Sequence, residues 1–335
     1  MKYVLSAIAV SLALPATAGT LGQYTDLLVF GDSLSDGGNI SAITGGTAPA
    51  PQFYLNGQFT NGDTWATELG TASSLSSPDG TNFAFGGATA VTSPANEAGL
   101  DIPDFEDQRA MYEGSTLLLG DNPLTAIWFG GNDLRVLLDE DNTQDPFAVV
   151  GAAINEIVSG INALANSDLN DLNDFLVFGL PDLGLTPGVV FDPEASAGAT
   201  FLSVEFNTAL QGALDFFFGA NDDINVSFFD TQSFFAELLV DADALGITNI
   251  KEACLVGDNA DTPDVNEFSY CGFAEDPNTY AFFDGLHPTQ PIHSALAAGV
   301  KDFVTPVPLP GGLSLALGGL IVLGGVARRR KVGDA

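Results

Sequence analysis

Four separated blocks of the sequence hold the residue types that acyl transfer needs. Ser33 lies in Gly31-Asp32-Ser33-Leu34-Ser35-Asp36-Gly37-Gly38-Asn39, directly after an apolar run. A serine placed there can offer its hydroxyl where free backbone N–H groups also point, although the same position suits an ordinary helix N-cap. Asn82-Phe83-Ala84-Phe85-Gly86-Gly87-Ala88 places paired glycines where a backbone turns sharply or approaches something closely. Phe129-Gly130-Gly131-Asn132-Asp133 brings a side-chain amide, and Asp284-Gly285-Leu286-His287 sets a carboxylate three residues before one of only two histidines. A nucleophile, a base, a group to orient the base and oxyanion donors are thus all present. With only His287 and His293, and no CxxC or Cys/His cluster, the sequence argues against a zinc site. No cofactor is expected.

The elements that must position these residues are short, buried strands. Asp26–Phe30, Leu124–Phe129, Asp174–Phe178 and Ile224–Phe229 are brief runs rich in aromatic and aliphatic residues that end in Gly, Asp or Asn. Between the second and third, Val150, Ile154, Ile157, Val158, Ile161 and Leu164 recur at helical spacing. Leu202, Phe206, Leu210, Ala213 and Phe217 do the same after the third. Strand–helix alternation with runs this apolar predicts an α/β fold, a mostly parallel sheet covered on both faces. Chemistry in such sheets sits beyond the carboxyl ends of the strands, where the blocks above fall.

In that order the blocks resemble the GDSL, or SGNH, hydrolase family, named for Ser, Gly, Asn and His. Phe59-Thr60-Asn61-Gly62 with Trp65, and Leu180-Pro181-Asp182-Leu183-Gly184-Leu185-Thr186-Pro187, are further segments of the same likeness. The resemblance implies a three-layer α/β/α sandwich on a flavodoxin-like, mostly parallel sheet. It implies that Ser33 attacks an ester carbonyl, that His287 carries the proton, and that Asp284 orients the imidazole. The backbone N–H groups of Ser33 and Gly87, with the Asn132 amide, would form the oxyanion hole, Gly87 being favoured over Gly86 because it precedes the small residue that closes the block. Asp32 and Asp133 read as acids that brace their turns. Gln58 stands where relatives often have Arg, a change expected at the lip of the site. The expected activity is that of a serine esterase or lipase working through an acyl-enzyme on lipid or acylated-glycan esters. A carbohydrate O-acetylesterase is the alternative within the enzyme class. A catalytically silent acidic surface protein is the rival outside it, and it has no reason to keep Ser33, Asp284 and His287 together.

Charge and termini narrow the setting. The 335 residues include 43 Asp and Glu against 9 Lys and Arg, a net charge of −34. Lys2 and the cluster Arg328-Arg329-Arg330-Lys331 sit at the ends, so Arg109, Arg135, Lys251 and Lys301 alone serve the body. Such a surface excludes nucleic acid, which needs clustered cations, and fits an exported protein that stays dispersed in salt. Lys2, the apolar run Val4–Leu14 and Ala16-Thr17-Ala18 read as a signal peptide over 1–18. The hydrolase domain is expected over 19–306. Residues 307–335 hold Val307-Pro308-Leu309-Pro310, the apolar stretch Gly311–Ala327 and the basic cluster. As a helix that stretch spans about 26 Å, slightly under the ~30 Å of a hydrocarbon core. The arrangement resembles a VPLPA-CTERM sorting signal, a relative of PEP-CTERM, with Gly311 in place of the usual Ala. It implies a membrane and a sorting protease as export partners and an extracellular or cell-surface location in a Gram-negative bacterium, the tail being removed or kept as an anchor.

Export suits Cys254 and Cys271 as a disulfide pair. His293 reads as structural. Phe216-Phe217-Phe218, Phe228-Phe229 and Phe234-Phe235 read as core, with an acyl pocket as the other possibility. Asp258, Asn259, Asp261 and Asp264 read as a solvated acidic loop rather than a calcium site.

Overall fold

Alternate residues of the first strand, β1 (Asp26–Gly31), enter two different cores: Leu28 and Phe30 one, Leu27 and Val29 the other. In the computed structural model, which describes residues 21–92, 100–138, 143–221, 223–257 and 269–305, this strand is the hub of the molecule. It pairs in parallel with β2 (Pro123–Trp128), which pairs with β3 (Asp174–Phe178) and that with β4 (Asn225–Phe229). On the free side of β1, residues 81–85 run alongside in the same sense. Val29 N donates to Thr81 O, and Phe83 N and Phe85 N donate to Val29 O and Gly31 O. Counting that segment second in chain order, the sheet reads 2-1-3-4-5 and reverses direction between β1 and β2. That is the switch point at which open α/β sheets form a crevice.

Helices cover both faces, giving the three-layer α/β/α sandwich that the sequence predicts. The short helices α1 (Asn39–Ile43) and α2 (Trp65–Glu68) precede α3 (Phe105–Glu113), α4 (Gly131–Arg135), α5 (Pro146–Ala165), α6 (Pro193–Phe218), α7 (Thr231–Val240) and α8 (Gln290–Val304). Phe105, Ile157, Ile161, Phe206 and Leu210 from α3, α5 and α6 fill one face. Trp65, Phe235, Ile292, Leu296 and Val300 from α2, α7 and α8 fill the other. Part of the acidic composition starts helices. Asp104, Asp145, Asp192 and Asp230 each accept a backbone N–H of the first turn, and proline follows directly at Pro146 and Pro193.

A smaller third core sits beside the site. There β5 (Asn249–Ala253) pairs with β8 (Tyr280–Phe282), and β6 (Leu255–Val256) with β7 (Ser269–Tyr270). Phe53, Tyr54, Leu255 and Phe283 pack around the Cys254–Cys271 disulfide. At the opposite end of the molecule the two ends of the described chain meet, Thr305 lying against Gly22.

Candidate active site

Ser33, in the turn that closes β1, and His287, in the loop that follows β8, come together although 254 positions separate them. Ser33 Oγ lies 2.8 Å from His287 Nε2, and His287 Nδ1 lies 2.7 Å from Asp284 Oδ2. All three are buried. Asp284 Oδ1 also accepts the backbone N–H groups of Leu286 and His287, at 2.8 and 2.7 Å, which curls the loop so that both side chains share one side. Tyr54 Oη donates to Asp284 Oδ2 at 2.7 Å. Burial alone would raise the Asp284 carboxyl; the facing His287 and these hydrogen bonds outweigh it and hold the group below the ordinary carboxylate range. A lasting anion on Nδ1 fixes the tautomer that leaves Nε2 free to accept the serine proton.

The turn carrying Ser33 is held from four directions. Ser35 N and Asp36 N both donate to Asp32 O. Asp36 Oδ1 accepts the backbone N–H groups of Gly38 and Asn39 and its Oδ2 that of Ile40, and so starts α1, while Oδ2 also takes Gly86 N at 2.8 Å. Burial pushes it up to about 6 against the pull of those donors. Ser33 therefore caps no helix; Asp36 does that work. From α3, Gln108 grips both polar groups of Gly31, and Trp65 Nε1 reaches Ser35 Oγ. Asp32 Oδ1 accepts Leu34 N at 3.0 Å, and burial raises the carboxyl to about 7.

Two more predicted positions face the same place. Gly87 has φ of 84°, a left-handed conformation that favours glycine, and a side chain on its neighbour Gly86 would collide with the Phe59 ring. Since Gly86 N is committed to Asp36, Gly87 is the member of the pair left to donate. Among the described residues, the N–H groups of Ser33 and Gly87 make no hydrogen bond to the protein. Asn132, in the first turn of α4, spends one amide hydrogen on Ala88 O at 2.9 Å. Asp133 accepts from Ala90 N and Val91 N and ties that loop to α4. Two clefts meet at Ser33. His287, Gly87, Asn132, Ile102, Ala48 and Arg135 line one; Asn132, Leu180, Leu183, Phe235, Ala236 and Leu239 line the other.

The family model of GDSL-like lipase/acylhydrolases matches residues 27–300. The chain belongs to this family. It is 28% identical over 298 residues to the secreted effector protein SseJ of Salmonella typhimurium, covering 85% of this chain and 65% of that protein. It is 33% identical over 178 residues to lipase 1 of Photorhabdus luminescens, covering 53% and 25%. Against the phosphatidylcholine-sterol acyltransferase of Aeromonas hydrophila it is 28% identical over 244 residues, covering 70% and 66%. The chain thus spans less than two thirds of the length of each of these relatives.

The remaining GDSL-family segments act as braces. Thr60 Oγ1 donates to Pro288 O, and Asn61 Oδ1 accepts Gln290 N, so the Phe59–Gly62 block fixes the start of α8 just after His287. Phe59 packs on the imidazole with ring centroids 5.2 Å apart. Gln58 is not at the lip of the site, contrary to the sequence reading: it is buried and accepts from Thr64 N and Thr67 Oγ1, holding the turn into α2. His293 is buried in α8, where Nδ1 accepts Trp65 N at 3.3 Å, and burial lowers it to about 3.

The phenylalanine clusters divide. Phe218 and Phe229 are core and Phe235 lines a cleft, but Phe216 and Phe217 are exposed and serve neither purpose. They follow Asp215 on the outward side of the last turns of α6, whose inward stripe is taken by Leu210, Leu214 and Phe218. Cys254 and Cys271 are joined as a disulfide. Residues 1–18, 307–335 and the acidic loop of Asp258, Asn259, Asp261 and Asp264 lie outside the described residues. Tyr54 and Gln108 were not identified from the sequence. Neither sits in a motif, and each acts across 230 and 77 positions of chain respectively.

Proposed function

We propose that the protein hydrolyses carboxylic esters through an acyl-enzyme formed on Ser33. The observation that carries this reading is the continuous relay Ser33 Oγ to His287 Nε2 at 2.8 Å and His287 Nδ1 to Asp284 at 2.7 Å. As Ser33 Oγ attacks the ester carbonyl, His287 takes its proton and the imidazolium is held by Asp284. The carbonyl oxygen becomes an anion, met by the N–H groups of Ser33 and Gly87 and the second amide hydrogen of Asn132. Collapse breaks the bond to the alcohol oxygen, which receives the proton from His287. Water then repeats the sequence on the acyl-enzyme, releasing the acid and restoring Ser33.

Relatives named as a lipase and a sterol acyltransferase support acyl esters as the substrate class. Hydrolysis of p-nitrophenyl butyrate should fall by about 10⁴-fold or more in Ser33→Ala. Turnover retained in that variant excludes the assignment. The same reading takes residues 1–18 as a leader and 307–335 as a sorting tail, which makes this an exported enzyme. Mass spectrometry of the protein recovered outside the cell is then expected to give an N-terminus at Gly19 and no peptide from the Arg-rich end; a species with both ends intact in the cytosol refutes export.

A further inference from the structure

We infer that Arg135 selects esters whose alcohol half carries an oxyanion, a carboxylate or a phosphate, several bonds away from the scissile one. The inference rests on the hydrolase reading above. The alcohol oxygen must receive its proton from His287 Nε2, so the alcohol half lies against the cleft that His287 lines. That cleft has a volume of about 410 Å³, against about 40 Å³ for the one walled by α7, and it is where the larger part of a substrate can be recognised. Arg135 lines it from the last residue of α4, three positions after Asn132. Residues at that spacing share one helix face with Cβ atoms about 5–6 Å apart. An anion held by Arg135 therefore sits beyond the oxyanion donors, further along the alcohol half.

The distribution of charge singles this residue out. The chain carries 43 acids, yet none among the described residues lines the His287 cleft. Asp32 and Asp182 line the α7 cleft, where an anion on the acyl half would meet like charge. Of the four cations of the body, Arg109 is paired with Glu156, and Lys251 and Lys301 line neither cleft. Arg135 is exposed, and its side chain makes no hydrogen bond or ion pair among the described residues. The other polar side chains of the cleft are engaged. Thr44 Oγ1 donates to Ile40 O, Thr47 Oγ1 donates to Thr44 O, and Ser33 and His287 belong to the relay. What remains is a planar, charged fork that carboxylates and phosphates match with two parallel hydrogen bonds, and the apolar walls of Phe59, Ala48 and Ile102 suit an uncharged spacer between it and the ester. Hydrolysis breaks the bond from the carbonyl carbon to the alkoxy oxygen; the alcohol leaves with the proton from His287 and its anion is unchanged.

The test compares 4-(butanoyloxymethyl)benzoate, whose alcohol half is an anion, with its neutral isostere 4-(butanoyloxymethyl)benzamide, following release of the alcohol at pH 8. The wild-type ratio of kcat/KM, anion over amide, should exceed one at 0.05 M NaCl in spite of the net charge of the chain. It should fall toward one at 1 M as the attraction is screened. In Arg135→Gln the ratio should drop by at least about fivefold, mainly through KM, because the contact is present before and during the reaction; Arg135→Lys should keep part of it. The pair benzyl hydrogen succinate and benzyl succinamate, with the anion on the acyl half, should show no such drop. A third probe, 4-(butanoyloxymethyl)phenyl phosphate, separates the sources: a larger ratio than the benzoate points to a phosphorylated alcohol and a smaller one to a hydroxy acid, and either supports Arg135 as the selecting residue. A wild-type ratio at or below one, or one that rises with salt, overturns the proposal and requires no variant to fold. So does a ratio unchanged in Arg135→Gln, or a succinate pair that responds to it equally. Failure of the wild type on every ester removes the hydrolase reading itself, whereas turnover of the neutral esters with no preference for the anion removes this inference alone.

Discussion

Tyr54 shows how a single contact completes the acid end of the relay. Its hydroxyl donates to the same Asp284 oxygen that faces His287 Nδ1, so it favours the charged carboxylate and adds to the hold that lowers Asp284. Tyr54→Phe removes that donor and keeps the ring, which packs edge-on against Phe283 at 5.1 Å. The Asp284 carboxyl should therefore titrate higher, moving the acid limb of the kcat/KM profile to higher pH, with a cost of about 1–3 kcal/mol for a hydrogen bond to a charged group. A pH profile identical to wild type would show the contact to be idle. The sequence exposes Ser33, Asp284 and His287 because each carries its signal locally: a serine in a glycine-rich turn at a strand end, an acid three residues before a histidine. Tyr54 and Gln108 carry none. Their side chains acquire meaning only from what the fold lays beside them, a carboxylate in one case and the backbone N–H and C=O of one glycine in the other.

At the scale of elements, α8 and α2 keep the histidine loop and the serine turn in register. They are joined by the bond from Trp65 N to His293 Nδ1, while Trp65 Nε1 bonds Ser35. His293 must stay neutral to accept that N–H. Burial lowers its folded value to about 3, against 6.5 for the free side chain, so between those limits the unfolded chain binds the extra proton. Its contribution to stability is complete above about pH 6.5 and is lost as pH falls toward 3. His293→Gln, which retains an acceptor, should therefore flatten the fall in denaturation midpoint between pH 6.5 and 4. An equally steep fall would assign the acid sensitivity to other groups. The four strands were readable because their apolar runs are continuous and punctuated by Gly and Asp. The segment 81–85 was not read as a fifth, since its Gly86-Gly87 ending reads as a turn and its ladder to β1 alone makes it a strand in function. Phe216 and Phe217 misled in the opposite direction, being apolar residues on the outward side of α6.

For the molecule as a whole, charge is the dominant departure from an ordinary globular composition. The 43 acids face 9 bases, and the ion pair between Arg109 and Glu156 is the one Lys/Arg–carboxylate bridge among the described residues. Helix caps and the site neutralise a few acids; the rest repel one another. That repulsion acts over about 10 Å at 0.1 M salt and about 3 Å at 1 M, so the melting temperature should rise by several degrees between 0.05 and 1 M NaCl, followed by calorimetry. A melting temperature that falls or stays flat would mean that the acids are spaced widely enough to ignore one another.

The meeting of Gly22 and Thr305 lies at the amino ends of the strands, while Ser33 lies beyond the carboxyl end of β1. Whatever is joined directly at residue 21 or residue 305, whether a bead, a fusion partner or a display scaffold, is therefore attached behind the working face and leaves the mouth of the clefts turned outward. The same adjacency means that a short Gly/Ser linker could splice residue 305 to residue 21 and let the chain be opened at an exposed loop elsewhere, since the splice would replace one close approach of the backbone with another.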